Sequence, residues 1–198
     1  MIYFVGAGSG APDLITVRGA RLLSEADVIV YAGSLVNPAL LDYKKDGCEV
    51  YNSAKMTLEE VIAVMAPAAK AGKTVVRLHT GDPCVYGAHR EQMDELDRLG
   101  LAYEVCPGVS SFCGAAAALK AEYTLPNVSQ SVILTRMEGR TPVPEKEQIE
   151  SFAAHGATMA IFLSAGQLAR LSERLIAGGY APDTPAAIVY KATWPDEK

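Results

Sequence analysis

Three short segments combine glycine with hydroxyl, carboxylate or proline residues, as loops that grip small polar ligands do. They are Gly6-Ala7-Gly8-Ser9-Gly10-Ala11-Pro12-Asp13, His79-Thr80-Gly81-Asp82-Pro83-Cys84-Val85-Tyr86-Gly87 and Cys106-Pro107-Gly108-Val109-Ser110-Ser111. Each follows an apolar run that reads as a strand, and open α/β sheets bind ligands outside the carboxyl ends of their strands. The first segment fits a dinucleotide fingerprint poorly. Its spacing is G-x-G-x-G, Ala11-Pro12-Asp13 postpones the helix that would hold a pyrophosphate, and the second strand ends at Tyr31-Ala32-Gly33 with no acid for a ribose. A tight turn or a ligand loop of another kind remains. In the second segment Gly81 permits close backbone approach, and Asp82 can accept from ribose hydroxyls or an ammonium group; Asp-Pro is equally a turn opener. Ser110 and Ser111 suit either capping of an Ala-rich helix or contact with a polar ligand.

A fourth segment, Thr135 to Pro144, carries Arg136 and Arg140 in a Gly/Pro-rich loop. Guanidinium groups pair bidentately with carboxylates, although a solvated charged loop has the same composition. His79, His89 and His155 are too dispersed for a metal site, and no Ser-His-Asp or Cys-His pairing emerges. No metal is expected, and no catalytic residue is assigned.

These loops need strands and helices to position them. Strands are predicted at Ile2–Val5, Asp27–Tyr31, Glu49–Tyr51, Thr74–His79 and Ala102–Cys106, then at Val132–Thr135, Thr158–Leu163 and Ala186–Tyr190. Leu58, Val61, Ile62, Met65 and Ala69 share one face of a predicted helix with Thr57 and Glu60 as a capping box. Further helices are predicted over Met93, Leu96 and Leu99 and over Leu168, Leu171 and Leu175. The alternation predicts an α/β protein of two lobes, residues 1–124 with the glycine and TGDP loops and 125–198 beyond a polar hinge. The second lobe has few elements, and nothing follows its last strand to cover the edge, so it is expected to be truncated at its C-terminus.

The 198 residues are 49% hydrophobic and 21% charged, with a formal net charge of −5. That balance excludes a globally basic nucleic-acid surface. Cys48, Cys84, Cys106 and Cys113 form no C-x-x-C pair, and the start Met1-Ile2-Tyr3-Phe4-Val5-Gly6 resembles no export signal; reduced thiols in a cytoplasm are expected. The longest apolar run is too short to span a bilayer.

Taken together, the V-G-A-G-x-G loop with Asp13-Leu14-Ile15-Thr16, Ala26-Asp27-Val28 with Tyr31, T-G-D-P-x-x-Y-G and P-G-V-S-S resemble the tetrapyrrole methylase family along the whole chain. Tyr31-Ala32-Gly33-Ser34-Leu35-Val36, Leu134 to Pro144 and Val189 to Glu197 are similar to a branch that methylates precorrin-4, or its cobalt form, at carbon 11. The resemblance implies two α/β lobes, a homodimer, and S-adenosylmethionine bound between the lobes and released as S-adenosylhomocysteine. It implies cofactor contacts at Ser9, Thr80, Gly81, Asp82, Val85, Ser110, Ser111, Leu163, Ser164 and Ala192. A tetrapyrrole substrate carries carboxylates, for which Arg18, Lys55, Arg136 and Arg140 are the candidate partners. Ser9 stands where the family usually has proline. Gly33 replaces an aspartate of uroporphyrinogen-methylating relatives, so that residue's proton-acceptor role does not transfer. The other readings are methylation of a different precorrin or uroporphyrinogen intermediate, a nicotinamide-dependent oxidoreductase, and a binding-only module.

Overall fold

Strands buried on both faces must be apolar almost throughout, and Ile2-Tyr3-Phe4-Val5-Gly6 and Val75-Val76-Arg77-Leu78-His79 nearly are. In the computed structural model, which describes residues 1–139 and 141–198 (Ser34 by its backbone alone), these become two of the three inner strands, β1 (Ile2–Gly6) and β4 (Val75–His79). Between them in sequence come α1 (Val17–Glu25), β2 (Val28–Tyr31), β3 (Glu49–Asn52) and α2 (Leu58–Lys70). After them come α3 (Arg90–Arg98), β5 (Tyr103–Cys106) and α4 (Ser111–Leu119). The five strands form one parallel sheet in the order β3-β2-β4-β1-β5. Ile2 is in register with Val75 on one side and Tyr103 on the other.

Alternate residues face opposite layers, so the sheet supports two cores. Val5, Ile29, Val76 and Leu78 pack with Leu22 and Leu23 of α1 and with Leu40. Ile2, Phe4, Val28, Val30 and Val75 pack with Val61 and Met65 of α2 and Leu96 of α3. α2 carries the expected capping box: Glu60 N donates to Thr57 Oγ1 at 3.3 Å, and Thr57 N donates to Glu60 Oε2 at 2.8 Å.

A second compact unit spans Leu119–Val189. Its parallel strands β6 (Val132–Arg136) and β7 (Thr158–Phe162) are joined through α5 (Ile149–Ala153) and followed by α6 (Leu168–Ala177). Met137, Ile149 and Leu171 form its core. Arg174 of α6 pairs with Glu138 and Glu150, tying that helix to the ends of β6 and α5.

Three expectations differ. Ala186–Tyr190 is not a strand: among the described residues it joins no ladder beyond the single pair in which Tyr190 and Lys198 exchange backbone hydrogen bonds at 2.8 and 3.1 Å, and Ile188 and Tyr190 are exposed. The division expected near residue 125 falls after Ala118, because Tyr123 and Ser129 are already held by Thr158 of β7, whose Oγ1 donates to Tyr123 O at 2.8 Å and whose N donates to Ser129 Oγ at 2.9 Å. Tyr190–Lys198 pack with the first unit, not the second. α1 and α5 were not singled out by periodicity; the first is short and buries only Gly19, Leu22 and Leu23, the second only Ile149 and Ala153.

Candidate functional site

β1 and β4 are neighbours, yet their chains leave toward opposite faces of the sheet. β1 leads to α1 on one layer and β4 leads to α3 on the other. That reversal makes their carboxyl ends a topological switch point, where a crevice opens without any special side chain. The loops that meet there are the predicted glycine-bearing segments.

The loops join through backbone. Gly8 N donates to Gly81 O at 3.2 Å and Gly81 N donates to Gly8 O at 3.0 Å. A Cβ on Gly6 would lie 2.5 Å from Gly108 Cα and 2.6 Å from Gly81 O, so three chains touch where any side chain would part them. Gly81 also needs its positive φ of 61°. Asp82 fastens this junction: Oδ1 accepts from Cys84 N at 2.7 Å and Oδ2 from Gly108 N at 2.9 Å. Its carboxylate therefore makes an Asx turn and a strap to the β5 loop, while each oxygen keeps a second lone pair. Thr80 and Val85 are half-buried beside it, Ser110 is buried and Ser111 half-buried at the start of α4. A Cβ on Gly81 would lie 3.5 Å from Ser110 Cα.

The first glycine loop is covered. Ser9, 7% exposed, lies 3.2 Å through Oγ from Thr193 Oγ1, and the same hydroxyl accepts from Ala11 N at 2.9 Å. Asn37 Nδ2 donates to Gly10 O at 2.8 Å. A Cβ on Gly10 would overlap the Trp194 indole, and one on Gly114 would lie 2.7 Å from Ser9 Cβ. Ala192 is buried against the same place. Ser9 and Ala192 are thus brought together across the chain. Asn37, Thr193 and Trp194 complete the arrangement; Thr193 and Trp194 lie in the Val189 to Glu197 segment that carries the resemblance, whereas nothing in the sequence singles out Asn37. The helix after this loop starts at Val17, and its N-terminus is capped by Thr16 Oγ1, which accepts from Gly19 N at 3.0 Å. Gly8 N and Ala11 N of the loop and Gly19 N of the helix are thus already engaged, which disfavours a pyrophosphate there and with it the nicotinamide reading.

Burial shifts the titrating groups. His79 is held down to about 3 by desolvation first, then by Arg77 and His89. His89 is lowered chiefly by burial, and the Cys84 thiol is raised by burial and by Asp82.

The remaining predicted residues belong to other segments. Ser164 is buried in the second unit, where Oγ accepts from Met137 N at 3.0 Å and donates to Phe162 O at 2.7 Å; Leu163 beside it is exposed with φ 54°. Arg136 donates to Met137 O, Thr141 O, Thr141 Oγ1 and Pro142 O at 3.0–3.2 Å, which shapes its own loop. Arg140 lies outside the described residues. Arg18 is exposed beside a hollow of about 320 Å³ that Arg21, Glu25 and Glu104 also line, so opposite charges balance there. Lys55 is exposed after β3. Among the described residues no three His, Cys, Asp or Glu side chains cluster as a metal site would need, and no helix is long and apolar enough to cross a membrane.

The family of tetrapyrrole (corrin/porphyrin) methylases matches residues 1–198. A cobalt-precorrin-4 C(11)-methyltransferase of Methanocaldococcus jannaschii is 57% identical over 197 residues, covering 100% of this chain and 76% of that protein. The X-ray structure of a cobalamin biosynthetic enzyme, cobalt precorrin-4 methyltransferase, superposes with a TM-score of 0.96 at 52% identity, covering 100% of this chain and 82% of the other. Uroporphyrin-III C-methyl transferase from Thermus thermophilus, complexed with S-adenyl homocysteine, gives 0.82 at 28% identity over 100% of this chain and 80% of its own. With the switch-point loops and the full-length likeness in agreement, this chain belongs to the tetrapyrrole methylases.

Proposed function

We propose that the chain transfers a methyl group from S-adenosylmethionine to carbon 11 of cobalt-precorrin-4 in cobalamin biosynthesis. The observation that carries this reading is the likeness, over the whole chain, to methyltransferases named for that substrate. The site agrees with it. Its opening is bounded by backbone, small hydroxyls and one strapped carboxylate, which suits a nucleoside carrying a sulfonium and an amino-acid tail better than a diphosphate.

When bound, S-adenosylmethionine supplies an electrophilic methyl group to a nucleophilic ring carbon. The protein's part is then placement, which can contribute ~7–11 kcal/mol in well-aligned cases. Thr80, Gly81, Asp82, Val85, Ser110 and Ser111 would hold the cofactor, Ser9 and Ala192 would back the first loop, and Leu163 and Ser164 would contribute from the second unit. Arg18, Lys55, Arg136 and Arg140 are the proposed partners of the substrate's carboxylates. No side chain is assigned as a general base. The working form is a cytoplasmic homodimer, which sedimentation of the purified protein addresses.

The deciding experiment supplies isotopically labelled methyl donor with cobalt-precorrin-4 and, separately, with the metal-free ring. NMR of the product should place label at carbon 11 from the cobalt form. Label at another carbon, or only from uroporphyrinogen, would move the assignment elsewhere in the family. Donor binding without any transfer would leave a binding module.

A further inference from the structure

His79 and His89 stand at the two ends of the loop after β4, and their rings lie 5.5 Å apart. Both pack on Phe4 of β1, at 5.9 and 5.3 Å between centroids, and Phe4 is fully buried. His79 is 2% exposed, and its Nε2 has no polar partner among the described residues. Its other ring nitrogen is therefore the one hydrogen-bonded to the backbone of Gly87, while His89 bonds the backbone of Pro83. Those two backbone positions are where the loop closes on itself, since a Cβ on Gly87 would overlap the Pro83 carbonyl.

The loop needs such a grip. The strand ladder ends at His79 and α3 begins at Arg90, so residues 80–88 lie outside strand and helix. Gly81, Tyr86 and Ala88 sit at φ of 61°, 55° and 48°, and the last two are side-chain-bearing residues in a disfavoured region. Such backbone persists only where its surroundings over-determine it. Gln92 of α3 adds a third hold, donating Nε2 to Ala88 O at 3.4 Å while accepting from Arg77 Nε at 3.0 Å. Arg77 is itself buried and reaches Val30 O at 3.1 Å.

We infer that His79 and His89 are positioning residues that brace the 80–88 loop from beneath, and through it set Thr80 to Val85 where the methyl donor is held. The inference rests on the donor-binding role proposed above for that loop. A neutral imidazole with one N–H suits the place, offering one donor to a carbonyl and an otherwise apolar ring to Phe4.

The test uses the full chain with His79→Leu, His89→Leu and His79→Asn, whose amide can replace the Nδ1 donor. Amide hydrogen exchange across residues 82–88 should quicken by about tenfold in either leucine variant, the loss of one hydrogen bond's protection, with β1 and β2 unchanged. S-adenosylhomocysteine affinity should fall by about tenfold and the KM for methyl donor rise, with the KM for tetrapyrrole nearly unmoved. His79→Asn should restore most of both. Unchanged loop exchange in both leucine variants would overturn the inference, as would equal acceleration throughout the sheet, which would make the histidines ordinary core. Should His79→Leu fail to fold, the half-buried His89 carries the same test. If the unsubstituted protein binds no S-adenosylhomocysteine, the proposed function falls, and the exchange comparison still decides whether the histidines brace the loop.

Discussion

Asp82 shows how one side chain answers two sequence readings at once. Its oxygens accept from Cys84 N and Gly108 N, so the turn reading describes the contacts present, while the ligand reading depends on the lone pairs left over. Asp82→Ala releases the β5 loop and should lower S-adenosylhomocysteine affinity by about tenfold or more while destabilising the fold by ~2 kcal/mol, the scale of hydrogen bonds to a charged group. Calorimetric binding beside a denaturation curve separates the two effects, and unchanged affinity would remove Asp82 from the site. Gly10 is constrained differently. Gly10→Ala pushes against the Trp194 indole, so tryptophan emission from this single reporter should shift toward the exposed limit. An unmoved spectrum would mean the turn is not seated on the loop. His79 makes a prediction about pH. Its folded value is depressed to about 3 from an ordinary 6.5, so between those limits the unfolded chain binds the extra proton. Its stabilising contribution is full above about pH 6.5 and declines as pH falls, by ~1.4 kcal/mol per unit from this group. Urea midpoints should drop on acidification through that window, and His79→Asn should flatten the dependence.

Among the elements, α2 was the most legible in advance because everything that defines it is local. Leu58, Val61, Ile62 and Met65 recur at helical spacing, Thr57 and Glu60 exchange hydrogen bonds across one turn, and Gly72 follows its end with a φ of 79°. Thr57→Ala should cost ~1 kcal/mol, read as a lower Tm. Ala186–Tyr190 is the counterexample. Its apolar composition suits a strand, yet a strand exists only where a neighbour supplies the ladder, and among the described residues only its last member, Tyr190, finds one, in Lys198. The short helices α1 and α5 escaped because one turn or two of apolar periodicity is too little to separate from a loop.

For the whole molecule, the return of Tyr190–Lys198 to the first unit joins parts of the chain that are remote in sequence. Ser9 and Thr193 are 184 residues apart and meet at 3.2 Å. Removing residues 190–198 should expose the first glycine loop, seen as faster amide exchange from Gly8 to Ala11 and a lower Tm, with β6 and β7 unaffected. The α/β class, most strand ends, the glycine loops and the family were all determined by the chain's own order of residues. Each rests on interactions within a few positions or on motifs contiguous in sequence. Only the folded structure decided the strand order β3-β2-β4-β1-β5, the partners already taken by Asp82 and Arg136, and the segment that covers Gly10. Those depend on which distant group fills a space or satisfies a donor, and no local pattern records that choice.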